Sequence, residues 1–242
     1  MWRIFLKEVN SFLNSLIAYI IIFVFLTGIG MFMWVFPETS VLEYGYADMS
    51  TLFSYGPYVF MFLIPAITMR MFSEEKKAGT LEILFTKPLR DWEIILGKYL
   101  AGFALVFFSL LPTLLYYYSI YKLGNPEGNL DAAGTTGSYI GLLLLGGVFT
   151  SIGILASSIT ENQVIAFIIA VFLCFIFFTG FNSIASINWW GTYANSIDQL
   201  GIIYHYNSMS KGLIDSRNLV YFFSVIGIML LTTNLILGSR KW

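Results

Sequence analysis

The sequence predicts an all-α membrane protein that crosses a bilayer six times, and three observations carry that reading. Charged residues make up 11% of the chain and apolar ones 57%, against about 25% charged in an ordinary soluble domain. Such a chain cannot hide its apolar surface in one soluble core. Residues 9–37, 49–69, 99–121, 132–160, 162–197 and 218–239 contain no Asp, Glu, Lys or Arg. Each run is long enough to cross roughly 30 Å of hydrocarbon at about 1.5 Å per helical residue. The runs are also continuously apolar, whereas the strands of a membrane barrel alternate over segments of about ten residues. Residues 1–242 are read as one transmembrane domain, with spans at about 15–36, 52–70, 94–120, 138–157, 163–185 and 218–238.

Ahead of the first span, Arg3, Lys7, Asn10 and Asn14 recur at helical spacing, and Trp2, Phe5, Leu6, Val9, Phe12 and Leu13 occupy the other side. Residues 1–14 are expected to form an amphipathic helix lying in the membrane interface. Basic residues before an apolar run imitate a signal peptide. The run is too long for one and no small-residue cleavage site follows, so the first span is expected to persist in the mature protein.

Pro57 and Pro65 in the second span and Pro112 in the third are expected to kink their helices. Residues 37–51 are a short acidic connection, and KLGNPEGNLDAAGTTG over 122–137 reads as an irregular, turn-rich loop. In the fourth span, Gly146, Thr150, Gly153 and Ser157 form a small-residue face that lets another helix approach closely, preferably inside the same subunit. Thr160, with Gln163 three residues on, has the spacing of a capping box for the fifth span. The single Cys174 lies deep in that span, which excludes a disulfide framework or a cysteine metal site. Residues 186–217 carry Trp189, Trp190, Tyr193, Tyr204 and Tyr206, aromatics that belong at the membrane–water interface. Short helices on or dipping into the outer leaflet are expected there.

Six crossings return the chain to its starting side. Arg3, Lys7, Arg70, Lys76, Lys77, Lys87, Arg90, Lys98, Arg240 and Lys241 then share one side, against Lys122, Lys211 and Arg217 on the other. By the positive-inside rule the termini and the 70–98 loop are cytoplasmic.

No span carries an Asp, Glu, Lys, Arg or His near its centre, which argues against a proton relay, a cation-coupled carrier and a voltage sensor. A phosphate-binding GxxxxGK[ST] segment is missing, so the chain is not expected to hydrolyse ATP by itself. Gly28 and Gly30 read as helix packing. His205 stands near Ser208 and Ser210, but no nucleophile-elbow glycines surround either serine and no partner ligands stand by for a metal. A satisfied interfacial histidine is the preferred reading. No catalytic, cofactor or metal residue is assigned.

Residues 69–98, MRMFSEEKKAGTLEILFTKPLRDWEIILGK, form the one long charged stretch. Gly79 can break the helix that extends from the second span, Thr80 can cap a new one and Pro88 ends it. Leu81, Leu84 and Phe85 share a face at helical spacing, an anchor for a partner groove. Glu74, Glu75, Lys76 and Lys77 supply its polar rim. A solvated loop whose Leu-Phe face rests on lipid headgroups is the alternative.

Glu75-x-x-x-Gly79-Thr80-x-Glu82-x-Leu84-x-x-x-Pro88, closing with Gly97-Lys98, resembles the signature of ABC-2 type permeases, and the resemblance covers essentially the whole chain. It implies that the loop forms a coupling helix seated on a separate cytoplasmic ATPase, with Glu75, Gly79, Thr80, Leu81, Glu82, Leu84, Phe85 and Pro88 docking. ATP and Mg would sit on that partner, with no cofactor on this chain. The setting implied is a bacterial inner membrane, with a second membrane subunit or a second copy of this chain.

Residues 205–222, with Lys211, Gly212, Asp215 and Arg217, are similar to an element of ABC-2 permeases of the gliding-motility and related multi-subunit exporter group. Lys211 and Asn218 depart from the residues usual there, Arg and Asp. The likeness implies a second membrane subunit with a large periplasmic portion. Physically, Asp215 can cap the sixth span by accepting from the Asn218 backbone, and Lys211 and Arg217 can reach lipid phosphates. The function expected is a permease subunit that couples a partner's ATP hydrolysis to export or mechanical work, in gliding motility. The alternatives are a non-transporting scaffold that recruits a cytoplasmic partner and an ABC-2 exporter of another cargo.

Overall fold

Inside a bilayer no water is present to satisfy backbone N–H and C=O groups, so an apolar chain pairs them within its own helices. The computed structural model describes residues 1–81, 90–212 and 215–239, and among these it contains helices and no strand. Six helical stretches are long and apolar enough to span: Leu16–Trp34, Ser50–Lys77, Asp91–Leu123, Ala132–Ile159, Gln163–Ala185 and Ser216–Gly238. Within and around them we label α1 (Trp2–Leu13), α2 (Leu16–Trp34), α3 (Ser50–Thr68), α4 (Arg70–Lys77) and α5 (Asp91–Leu110). The remaining labels are α6 (Ala132–Ile159), α7 (Gln163–Phe175), α8 (Ile202–Ser210) and α9 (Ser216–Gly238). The face bearing α1 and α4 is called near, and the face bearing α8 far.

Helix α6 is the axis of the bundle, touching α3, α4, α5, α7, α8 and α9. Its small residues make that possible. A Cβ on Gly146 would run into Val106 of α5, and one on Gly153 into the Thr68 hydroxyl of α3. Thr150 lies against Gly102 of α5, whose Cβ would come within 2.8 Å of the Thr150 methyl. Ser157 is fully buried. The hydroxyls in this apolar interior donate back to their own helix: Thr150 to the Gly146 carbonyl, Ser151 to Val148, Ser157 to Ile154 and Ser158 to Leu155. Each polar group is satisfied without help from a neighbour.

Several local expectations change. Helix α6 starts at Ala132, inside the stretch expected to be irregular, with the Asp131 carboxylate accepting from the Gly134 N–H at 3.0 Å. Low-propensity residues are helical here because Gly134, Gly137 and Gly141 admit α8. A Cβ on Gly137 would strike the Met209 carbonyl, and one on Gly141 would sit 3.3 Å from the Tyr206 ring. The cap of α7 is Asn162, which accepts from the Val164 N–H at 2.9 Å, while Thr160 accepts from the Asn162 N–H at 3.2 Å. The short Asn side chain closes the turn two residues later than the expected cap. Asp215 does cap α9, but through the Arg217 N–H at 3.0 Å; the Asn218 N–H goes to the Asp215 carbonyl instead.

The prolines act through the bonds they omit. Pro57 lies inside α3 and has no N–H for the Phe53 carbonyl four residues back. The Tyr206 hydroxyl of α8 donates to that carbonyl at 2.7 Å. Pro112 sits in a 3-10 turn, Leu111–Thr113, that joins the two helical halves of the third span. In the fifth span a π-helical turn follows α7 at Ile176–Gly180, and no sequence signal marked it. Between the last two spans lie a 3-10 stretch, Asn188–Tyr193, and the helices Ala194–Asp198 and Ile202–Ser210. Trp189 there is 94% exposed.

Candidate functional site

The densest polar chemistry lies at the near face, where α1, α4 and α5 converge. Sequence spacing puts Ile4, Glu8 and Phe12 on one stripe of α1, and that stripe is buried against the bundle, leaving Trp2, Leu6 and Leu13 exposed. The inward face therefore runs through a glutamate rather than along the purely apolar side. Gly97 of α5 makes room: a Cβ there would come within 3.0 Å of Ile4.

Lys98 follows Gly97 with its side chain only 1% exposed. Its ammonium lies 2.9 Å from Glu8 Oε1 and 3.0 Å from Glu75 Oε1, and donates to the Met71 carbonyl at 2.6 Å. Three donors thus meet three acceptors, and the Phe72 ring lies 5.1 Å from the charge. Lys7 completes the cluster, 2.9 Å from Glu75 Oε1 and 3.5 Å from Glu8 Oε1. Burial works against the charged form of Lys7, but the hydrogen bond and field of Glu75, then Glu8, outweigh it and raise its pKa above the ordinary 10.5. Desolvating Lys98 costs several kcal/mol, so such a group is tolerated only when fully paired.

The loop motif is placed in part. Glu75 sits in the cluster. Helix α4 ends at Lys77, and Gly79 takes the left-handed φ of +67° that a helix C-terminus favours. The Thr80 hydroxyl turns back to donate to the Glu75 carbonyl at 3.3 Å. Leu81 is 6% exposed and packs into the chain's own core rather than standing free. Glu82, Leu84, Phe85 and Pro88 lie outside the described residues. The expected polar rim divides: Glu74 and Lys77 are exposed, Glu75 turns inward, and Lys76 is buried with its ammonium donating to the Ser158 carbonyl at the end of α6.

At the far face, Lys211 and Arg217 are exposed, and Gly212 takes a φ of +78° just beyond α8. A cavity of about 590 Å³ opens there between α3, α6 and α8, lined by Tyr58, Phe178, Tyr206, Ser54, Ser138 and Asp131 among others. His205 has Nδ1 2.8 Å from Asn218 Oδ1 and Nε2 2.9 Å from the Gln199 carbonyl, and its ring stacks on Tyr221 at 3.9 Å. Ser208 accepts from the Asn218 amide. Neither ring nitrogen is directed at a serine hydroxyl, so the arrangement does not assemble a nucleophile and base.

Sequence reasoning overlooked Glu8 and Lys98 as partners. The available signal was Glu8 standing between Ile4 and Phe12 at four-residue spacing, with Lys98 one turn inside an otherwise apolar span.

These features define a six-span helical membrane protein whose buried charge, among the described residues, is gathered at one face, where α4 ends and α5 begins. The model of the ABC-2 family transporter proteins matches residues 2–237, and the chain belongs to that family. As such it is a transmembrane permease subunit of an ABC complex, with the ATPase activity in a separate cytoplasmic subunit. Comparison with curated proteins gives no match.

Proposed function

We propose that the 70–98 loop docks the partner ATPase and that the Lys98 cluster carries the resulting force into the membrane. The Glu75–Lys98 pair supports this most directly, because it ties the loop's outgoing helix α4 to its returning helix α5 at 3.0 Å. Glu8 adds α1 to the same ammonium, and Lys76 adds the end of α6. A push on the loop then moves four helices together. Only a differential contact can shift a conformational equilibrium, and in this reading the loop is the part that makes one.

In this reading Glu82, Leu84 and Phe85 form the contact, Gly79 and Thr80 set the turn before it, and Pro88 ends it. The near face, which bears α1 and α4, is read as cytoplasmic by the positive-inside rule, because six crossings assign ten of the thirteen basic residues to the side of the termini and the 70–98 loop, and the membrane is read as the bacterial inner membrane. A second copy or a second membrane subunit completes the pair of permeases. We extend the proposal to the gliding-motility group on the strength of residues 205–222, in which Asp215 caps α9 and Arg217 stands exposed.

The test is co-purification of this chain with the ATPase subunit and measurement of its ATP hydrolysis. Glu82→Ala with Leu84→Ala should release the ATPase or remove its stimulation while the permease remains folded. An unchanged complex with unchanged hydrolysis would overturn the docking assignment. Association with a cytoplasmic protein that has no nucleotide dependence would favour a scaffold instead.

A further inference from the structure

Among the described residues, two buried side-chain atoms have no hydrogen-bond partner, Arg70 Nη2 and Glu75 Oε2. Both side chains line a single crevice of about 260 Å³ between α1 and α4, with Lys98 among its other walls. Buried polar groups are rarely left unmade, and two in one crevice mark a place for a ligand. Their needs are complementary: the guanidinium N–H requires an acceptor and the carboxylate oxygen requires a donor.

The walls narrow the ligand further. Lys7, Arg70 and Lys98 bring three positive charges and Glu8, Glu74 and Glu75 bring three negative ones. A balanced wall gives no net attraction to a free anion or cation. It suits a molecule that is neutral overall but carries a separated anion and a cationic N–H donor.

Position supplies the last restriction. The crevice includes Ser11 and Phe12 of α1, just before α2 enters the membrane at Leu16. Arg70 is the first residue of α4, directly after α3, and it is held by the Ser15 hydroxyl at 3.3 Å and the Phe12 ring at 4.7 Å. Trp2, Leu6, Leu13 and Leu16 are exposed apolar side chains of the same two helices. This is the level at which headgroups lie, with acyl chains within reach of those side chains.

We propose that the crevice binds a zwitterionic phospholipid headgroup carrying a primary ammonium, with the phosphate accepting from Arg70 and the ammonium donating to Glu75. A choline headgroup has the same charges but no N–H to give. The proposal requires only that the spans cross a bilayer, and stands apart from the docking of an ATPase. Its consequence is a lipid strap between α1 and α4, beside the Lys98 cluster.

The test uses the full chain in nanodiscs with equal parts of phosphatidylethanolamine, its N-methyl and N,N-dimethyl derivatives, phosphatidylcholine and phosphatidylglycerol, all with the same acyl chains. Retained lipids are counted by native mass spectrometry. Ethanolamine lipid should be retained at least about tenfold over choline lipid, a difference of about 1.4 kcal/mol, with the methylated forms between. Glu75→Gln should reduce that preference to about threefold or less, and Arg70→Gln should lower retention of every phospholipid. Equal retention of the ethanolamine and choline lipids overturns the proposal, as does preferential retention of phosphatidylglycerol. An absence of retained lipid leaves a water-filled crevice and overturns it too. Equal binding of soluble glycerophosphoethanolamine would show a site for the free headgroup rather than for lipid. The wild-type methylation series decides the matter even if a variant fails to fold.

Discussion

At the near face, Lys98, Glu8, Glu75 and Lys7 draw three helices together through opposite charges buried away from water. At the far face, α6 and α8 meet through Gly134, Gly137 and Gly141, and a tyrosine hydroxyl fills a bond that a proline leaves open. The two ends thus rely on different physics. A charge cluster is worth little until every member is present, and removing one member leaves another buried and uncompensated. A glycine contact depends on shape alone, so it responds to added volume and not to protonation. The contrast suits a near face that transmits force as a unit and a far face whose helices are placed by steric fit.

The largest way to break the contrast is Lys98→Ala. It should cost about 3 kcal/mol by leaving Glu8 and Glu75 with only the more exposed ammonium of Lys7, read as a fall in the thermal unfolding midpoint of detergent-purified protein. Lys98→Met combined with Glu8→Gln and Glu75→Gln should recover much of that loss. If Lys98→Ala alone is harmless, the cluster is not what fastens α1, α4 and α5.

Added volume tests the far end. Gly137→Val should cost about 1–3 kcal/mol through overpacking against α8. A methyl group on Gly227 of α9 would meet nothing within 4 Å, so Gly227→Ala should be neutral or stabilise by about 0.5–1 kcal/mol. Equal effects at both positions would mean that helix propensity, and not the contact with α8, sets the outcome.

Tyr206→Phe should cost about 1–3 kcal/mol by leaving the Phe53 carbonyl unsatisfied. Pro57→Ala restores a main-chain N–H for that carbonyl, so the same change should cost less in the Pro57→Ala background. Additive effects in this double-mutant cycle would sink the explanation. A smaller effect is expected at the α7 cap, where Asn162→Ala should cost about 1 kcal/mol and exceed the effect of Thr160→Ala.

The smallest effect is a pH dependence. The Lys7 pKa is raised in the folded protein, so its contribution is fully present below its unfolded value of 10.5 and is lost as pH rises through the folded one. Lys7→Gln should therefore narrow the difference in stability between pH 9 and strongly alkaline solution (about pH 12). The side chain is 61% exposed, and solvent screening keeps this contribution modest.

Much of the fold was legible because hydropathy is a local property. Six charge-free runs became six helices long and apolar enough to span. The start of α6 was not legible, since Gly134 and Gly137 look like loop residues until α8 is seen against them. The π-helical turn at Ile176–Gly180 left no trace in composition. At the candidate site, Glu75 was singled out for a motif and a polar rim, but its role in a buried cluster depends on Lys98. Leu81 carried the spacing of an exposed anchor, and packing turned it into the core.

The sequence by itself determined that this protein is helical, that it has six spans, and that its charge gathers beside the second and third of them. Each of these follows from runs of neighbouring residues meeting a bilayer. Only the tertiary structure decided that Glu8 would find Lys98 ninety positions away, that Lys76 would turn in to α6, and that Arg70 and Glu75 would each present an unpaired atom to one crevice. Pairing over such distances depends on how helices cross, and that is set by the volumes of side chains no local pattern relates.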